Sequence, residues 1–459
     1  MVERIPWKPA KEWLAIIGGR PHACLLTGRW SNRHSGRWSV VSADPLRVSV
    51  SRGGDTWINE GHKGKRLVGS PFEAFEKLMA LVERYPSGET PFVGMAAGYF
   101  SYELGNWFER LPAPKSDDLH LPDAWWGWYD TAVVLDDERK ESWIVGTKEK
   151  VSRWKLLSEQ PARSLKGNAV AGTPKPSMDR SAYRSAVQRI HDEIEAGNVY
   201  QVNLTYRLEA DFEGGGLEVM DRALDAETPP YAAYLHCGDH EIVSVSPELF
   251  VKRNGRHVET HPMKGTRPRG TAEAEDNRLK GELLESEKEK AEHVMIVDLE
   301  RNDVGRVASP ATVRVEDLFR VEAYPTVWQM VSSVMGELPE RTKAMEVLRA
   351  MFPGGSVTGA PKIRAMELIH ELEPLPRRVY TGALGWIGWD GGMVLNMPIR
   401  TLVIKDGRAC FHVGGGITID SDPEQEFEET VVKSKAMLHA LGRKSASGAP
   451  GATSTASGE

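Results

Sequence analysis

The sequence predicts an α/β fold of the α+β type, in which antiparallel sheets are flanked by helices. Three observations predict it: strand-like runs joined by turn signals, helical patterns set between those runs, and a composition that can fill a large core. The chain has 459 residues, 40% hydrophobic and 27% charged. Length alone would allow two or three domains, although large α/β folds often run longer as one unit. A formal net charge of −7 does not suit a chain built to coat nucleic acid. No apolar run reaches the roughly 18 residues of a membrane span. The start, "MVERIPWKPA", has Glu3 and Pro6 where a signal peptide needs an apolar stretch. Cys24, Cys237 and Cys410 share no metal-ligand or redox spacing, so a reducing, cytoplasmic setting is expected.

Along the chain, residues 1–158 form an N-terminal region. It holds strand-like runs such as "GRWSVVSADPLRVSV" and the tryptophan-rich "DAWWGWYD", read as core or interface packing. "EQPARSLKGNAVAGTPKPSM" (159–178) has the composition of a linker, and "RKSASGAPGATSTASGE" (443–459) that of a disordered tail. Between them, 179–442 reads as one long region. Its first meander, "YAAYLHCGDHEIVSVSPELFVKRNGRHVETHPM", turns at Asn254-Gly255. A second, "VYTGALGWIGWDGGMVLNMPIRTLVIKDGRACFHVGGG", turns at Asp390-Gly391 and Asp406-Gly407. Helical patterns fall at 180–197, 276–298, 341–350, 361–372 and 424–441.

Several clusters have residue types that suit chemistry. Glu289 and Glu292 lie three apart on one predicted helix, as do Glu426 and Glu429 on another, with Lys433 a turn further on. Spacing leaves two readings open: solvated charge, or carboxylates converging on a hard cation such as Mg²⁺. "MFPGGSVTGAPKIRAMELIHELE" leads glycines into a helix. It is either an anion cradle of free N–H groups or a plain helix entry with Pro361 at the first helical position. It is no Walker A loop, because Ala360-Pro361 follows Gly359. "HVGGGI" (Gly414, Gly415, Gly416) is a close-approach site, a strand corner or amides aimed at a ligand. Glu248 in "SVSPELF" and Lys264 in "THPMKGTRPRG" are a general acid/base and a nucleophile, or a surface ion pair.

Taken together, these stretches resemble the chorismate-utilising enzyme family. The strings are "GNVYQVNLTYR", "SVSPELF", "HPMKGTRPRG", "AEHVMIVDLERNDVGRV", "FPGGSVTGAPKIRAMELI", "YTGALGWIG", "MPIRTLVI" and "VGGGITIDSDPEQEFEETVVKSKAML". They cover nearly all of 190–441 in family order. "GRWSVVSADP" and "GYFSYELG" resemble the amino-transferring branch. The resemblance implies one fold, a sandwich of two large antiparallel sheets with helices outside. It implies Mg²⁺ on Glu292 and Glu429, bridging to the ring carboxylate of chorismate, with Glu289 and Glu426 behind or on metal waters. Tyr380 and Arg400 would bind the enolpyruvyl carboxylate, helped by amides around Gly415. Lys433 would lie beside the ring carboxylate, and Thr266 and Ser356 near substrate oxygens.

Two positions choose the branch. Water-adding relatives carry a lysine at the place of Gln201, and a neutral amide points to ammonia instead. Anthranilate-forming relatives resemble "PIAGTRPRG", with alanine where this chain has Lys264. The resemblance therefore implies that Lys264 attacks C2 of chorismate, that Glu248 protonates the leaving C4 hydroxyl, and that ammonia then displaces the lysine to give 4-amino-4-deoxychorismate. The amine must be neutral to attack, so burial or nearby cations should lower its pKa; Arg267 and Arg269 are expected either to supply that field or to clamp the loop. Gln329 stands in "VWQMVSSV" where many amino-transferring members have a histidine, which removes an acid/base group from that place. No cysteine sits in a glutaminase elbow, so ammonia is expected from a separate glutaminase subunit. The alternatives are anthranilate formation and a silent, chorismate-binding regulatory subunit. "TPPYAAYL" and "CLLTGR" loosely match a tryptophan site of related chains.

Overall fold

Each Asn-Gly or Asp-Gly pair singled out in the sequence turns a hairpin. Gly255, Gly391 and Gly407 have φ of 57°, 86° and 71°, which glycine adopts without steric cost. They join Leu249–Asn254 to His257–His261, Ala383–Gly388 to Met393–Asn396, and Thr401–Lys405 to Arg408–Ile417. The computed structural model describes residues 1–31, 37–61, 63–82, 90, 92, 94–165, 167, 169–226, 229–324 and 327–443. All but the first residue of the predicted tail lies outside the described residues.

The hairpins belong to two large sheets, of 13 and 12 strands among the described residues. In the first, Gln201–Glu213 pairs antiparallel with Arg408–Ile417 in a continuous register from Val202↔Ile417 to Asp211↔Arg408. The N-terminal region enters both sheets. Cys24–Gly28 pairs with Tyr231–His236 in the first, and Met95–Phe100 with Ala383–Gly388 in the second. The division at 158 therefore parts the chain but not the core. Even the stretch 159–178 contributes Val170–Ala171 and Lys175–Pro176, both paired with Gln201–Glu213.

Alternation along the strands decides what each face packs against. Trp125 points into a core shared by the two sheets, with Leu26, Leu235 and Cys410 from one and Tyr99, Leu384 and Trp386 from the other. Trp126 and Trp128 point the opposite way, into a cluster with Phe75, Val297, Val334 and Leu348. All three tryptophans are buried, so the expected packing role holds. A third cluster sets Tyr183, Ile190 and Phe427 from helices against Leu204 and Tyr206 on the outer face of the first sheet. Sheets face each other and helices cover the outside.

The helical patterns at 180–197, 361–372 and 424–441 correspond to Arg180–Glu195, Lys362–Leu372 and Pro423–Ala440, and 341–350 to Ala344–Met351. The pattern at 276–298 is instead two helices, Glu273–Glu285 and Glu287–Gly305. Ser286 breaks it, with φ −68° and ψ 104°, and its hydroxyl accepts from the Glu289 N–H to cap the second helix. Pro361 is not the first helical residue but the N-cap, one position earlier, and the helix begins at Lys362.

Candidate active site

A bulge aims Lys264. Strand Met263–Pro268 pairs with Val327–Glu337 at Met263↔Val331, then slips by one residue to Thr266↔Gln329. The slip falls at Lys264-Gly265, where Gly265 has φ 82°. A bulge of this kind frees one backbone pair and redirects a side chain. Gln329 occupies the gap. Its Nε2 donates to the Gly265 carbonyl at 2.8 Å, and its Oε1 accepts from the Thr266 hydroxyl at 2.9 Å. The residue that departs from the family pattern thus closes the bulge, and Thr266, which is exposed, spends its proton on it.

The amine meets the first sheet at its glycines. A Cβ at Gly416 would stand 2.6 Å from Lys264 Nζ and 2.9 Å from Gln201 Nε2. Gln201 is fully buried, and neither of its amide atoms has a hydrogen-bond partner. Buried polar groups are rarely left so, and an amide beside an amine is a cradle for a polar ligand. At Gly415 a Cβ would lie 3.1 Å from Glu426 Oε2 and 3.7 Å from Lys433 Nζ. Gly414 faces the sheet, and its carbonyl accepts from Lys433 Nζ at 3.1 Å.

Carboxylates of two helices surround the amine. Glu292 Oε2 is 3.6 Å from Lys264 Nζ, and the Lys264 charge also acts on Glu426 and Glu429. Lys433 bridges to Glu429 at 2.6 Å and holds that carboxyl below its usual range. Burial raises the Glu426 carboxyl, against a hydrogen bond at 2.7 Å from the Ser421 hydroxyl. Glu289 is paired with Arg267 at 2.8 Å, and Arg269 with Asp276 at 2.6 Å. Both arginines are therefore neutralised locally, and of the two roles open to them it is the loop clamp that their contacts serve. Among the described residues no three His, Cys, Asp or Glu side chains are grouped closely enough to hold an ion. The donors present are oxygens, two per helix, with the lysine between.

Glu248 is 6% exposed and accepts from the Ser356 hydroxyl at 2.6 Å. Burial pushes its carboxyl up to about 7, opposed by that bond and by the charge of Lys264. Such a group can give or take a proton near neutrality. Tyr380 is buried, stacked on His412 with centroids 5.0 Å apart, and feels the Glu248 charge. Arg400 lies in the turn after Pro398, whose carbonyl accepts from Thr381 N at 3.2 Å. That bond sets the Arg400 turn beside Tyr380.

Other side chains of the site have weak sequence signals. Arg377 and Glu373, four apart and both buried, pair at 2.6 Å. Arg377 also donates to the carbonyls of Asn203 and Val357, and Glu373 accepts from Thr205 N, so one ion pair ties three site segments. Its i,i+4 spacing reads like any surface pair. His293, inside the quoted "AEH", is buried, bonded through Nε2 to the Ser332 hydroxyl at 2.6 Å, and pushed by burial down to about 4. Glu300 and Lys362 are buried or half-buried on helices; both fall inside strings that carry the family resemblance, but no spacing or residue type marks them as part of the site.

A profile of chorismate binding enzymes matches residues 29–439. The chain is 35% identical over 441 residues to aminodeoxychorismate synthase component 1 of Salmonella typhimurium, covering 95% of this chain and 97% of the relative. It is 38% identical over 445 residues to anthranilate synthase component 1 of Thermus thermophilus, covering 94% and 95%. Anthranilate synthase component I from Streptococcus pneumoniae TIGR4 superposes with a TM-score of 0.79 at 29% identity, over 88% of this chain and 92% of that one. Because the profile spans both sheets and every element that frames the Lys264 cradle, this chain belongs to the chorismate binding enzyme family.

Proposed function

We propose that this chain converts chorismate and ammonia to 4-amino-4-deoxychorismate, for para-aminobenzoate and folate synthesis, through a covalent bond to Lys264. The observation that carries the reading is the amine itself, delivered by a bulge to a cradle of Gln201 and Gly416. In the first step the Lys264 nitrogen bonds to C2, the ring double bonds shift, and the C4–O bond breaks. Glu248 gives its proton to the departing oxygen, which leaves as water. Ammonia then bonds to C4, the double bonds shift back and the C2–N bond breaks, returning Lys264 as a free amine. Glu248 recovers a proton from the new ammonium group. Tyr380 and Arg400, helped by the amides around Gly415, orient the enolpyruvyl carboxylate, and Lys433 faces the ring carboxylate.

Glu292 and Glu429 would hold Mg²⁺, with Glu289 and Glu426 behind them. Carboxylate oxygens suit that ion, which commonly takes one or two and fills its shell with water and substrate oxygens. Bound there, it supplies positive charge to the ring carboxylate and offsets the acidic field around the amine. Ammonia is assigned to a separate glutaminase subunit, component II. Cys24, Cys237 and Cys410 are all buried, and burial raises each thiol, the reverse of what a glutaminase nucleophile needs. No helix among the described residues is long and apolar enough to cross a membrane.

The 38% identity to the Thermus thermophilus protein keeps anthranilate formation as the second reading. Purified protein given chorismate, Mg²⁺ and ammonium separates the two. The expected product is 4-amino-4-deoxychorismate, which becomes para-aminobenzoate only when a lyase is added; fluorescent anthranilate without lyase would overturn the assignment. K264A is expected to abolish product, and E248Q to lower kcat about 10²–10⁴-fold. Mass spectrometry of quenched turnover mixtures should find the chorismate-derived adduct on the Lys264 peptide.

A further inference from the structure

Behind the glycine-rich loop lies a buried network outside the reaction described above. The loop 353–357 supplies Ser356, whose hydroxyl donates to Glu248. Two side chains from other elements hold its backbone. Glu300, on Glu287–Gly305, accepts from Gly355 N through Oε1 at 2.9 Å. Lys362, at the start of Lys362–Leu372, donates to the carbonyls of Pro353 at 2.9 Å and Met351 at 3.4 Å, and pairs with Asp303 at 2.5 Å. Glu300 and Asp303 are three residues apart, so one helix face serves both ends of the loop. Glu300 is 2% exposed, and its Oε2 has no hydrogen-bond partner. A buried carboxyl with an unpaired oxygen is costly, and its one bond to Gly355 N offsets only part of that cost. Stability alone does not account for it.

We propose that Glu300 and Lys362 are positioning residues that fix the 353–357 loop and so keep the Ser356 hydroxyl on Glu248. The inference rests on the reading of Glu248 as the proton carrier. The groups facing Glu248 are Ser356 on the loop, Lys264 on Met263–Pro268, Tyr380 before Ala383–Gly388, and Glu300 on its helix. Burial and the neighbouring Asp303 push the Glu300 carboxyl up to about 8, against Lys362. Near neutral pH Glu300 is therefore uncharged, and it reaches Glu248 through the loop and not through charge.

The test replaces Glu300 by methionine, which keeps the volume and deletes the acceptor. The infrared carboxyl band that E248Q abolishes is titrated in the free enzyme, alongside thermal melting and the pH profile of chorismate amination. In E300M the Glu248 midpoint is expected to rise from about 7 by about one pH unit, the worth of one hydrogen bond to a charged group. S356A should give the same rise, and the double variant no more. Melting serves as the fold control, because E300M trades an unpaired carboxyl oxygen for an unpaired Gly355 N–H; the midpoint shared with S356A is the readout that a merely structural role would not move. E300Q, whose amide oxygen still accepts from Gly355, should keep the wild-type midpoint. An unmoved midpoint in E300M, or a rise that adds to that of S356A, overturns the proposal. Should E300M not fold, E300D and E300Q decide: a shortened carboxyl should shift the midpoint and the amide should not, and equal midpoints overturn it. Because this titration needs no turnover, failure of the wild type to aminate chorismate would sink the functional reading alone.

Discussion

Glycines 414 and 416 stand two residues apart in one strand, and what a methyl group would strike differs completely between them. At Gly414 an added Cβ would lie 2.2 Å from the carbonyl oxygen of Leu204, a backbone atom fixed by the ladder of Gln201–Glu213. G414A is expected to destabilise the fold by about 1–3 kcal/mol, seen as an earlier urea midpoint. At Gly416 the obstacles are the far ends of Lys264 and Gln201, which can swing aside. G416A should therefore fold and melt near wild type. Its cost falls on the amine, because a displacement near 1 Å from productive geometry lowers turnover about 10²-fold. Normal kcat in G416A would remove that glycine from the cradle. The triplet was legible in the sequence as a close-approach site; which glycine serves the sheet and which the substrate was not, since register with Gln201–Glu213 decides it.

The strand carrying Lys264 shows where reading by motif stops. Its lysine, glycine and threonine were legible from the string alone. The bulge was not, because it exists only relative to Val327–Glu337, a strand some 60 residues further along. Gln329 departs from the family pattern in the string itself, but its bonds to Gly265 and Thr266 are visible only across the ladder. Q329L would leave the buried Gly265 carbonyl without a partner. That should cost about 1–3 kcal/mol in denaturant unfolding, with a further loss of kcat as Lys264 drifts from Gln201. Stability loss with full activity would mean that the backbone alone holds the bulge. The break at Ser286 was hidden for a related reason: a serine among charged helix formers gives no periodic signal, and its capping bond to Glu289 N is local geometry.

Across the whole molecule the site depends on both sheets, with Gln201 and Gly414–Gly416 from one and Lys264 and Gln329 from the other. Hairpins were readable from their turns, but the pairing of residues 24–28 with 231–236, or 95–100 with 383–388, has no local signature. The assembled fold also buries titratable groups of opposite kinds, and this sets how stability depends on pH. Glu248 and Glu300 are raised to about 7 and about 8 by burial, against about 4.3 in an unfolded chain. Their contribution is fully present below about 4.3 and is lost as pH rises through about 7 and 8, because the unfolded state gives up protons that the fold retains. Burial lowers His22, His240, His293, His370 and His412. Theirs is present above about 6.5 and is lost as pH falls toward their depressed values, where only the unfolded state takes up the protons. Below about 6.5 the five histidines oppose the raised carboxyls; above it the histidines contribute no further change and the loss from Glu248 and Glu300 continues. Calorimetry should find a melting temperature that peaks near about pH 6.5 and falls on both sides. E300M should flatten the alkaline limb and steepen the acid limb, where Glu300 no longer opposes the histidines, while a melting temperature still climbing at pH values above that of Glu300 would mean that these two carboxyls are ionised in the folded protein.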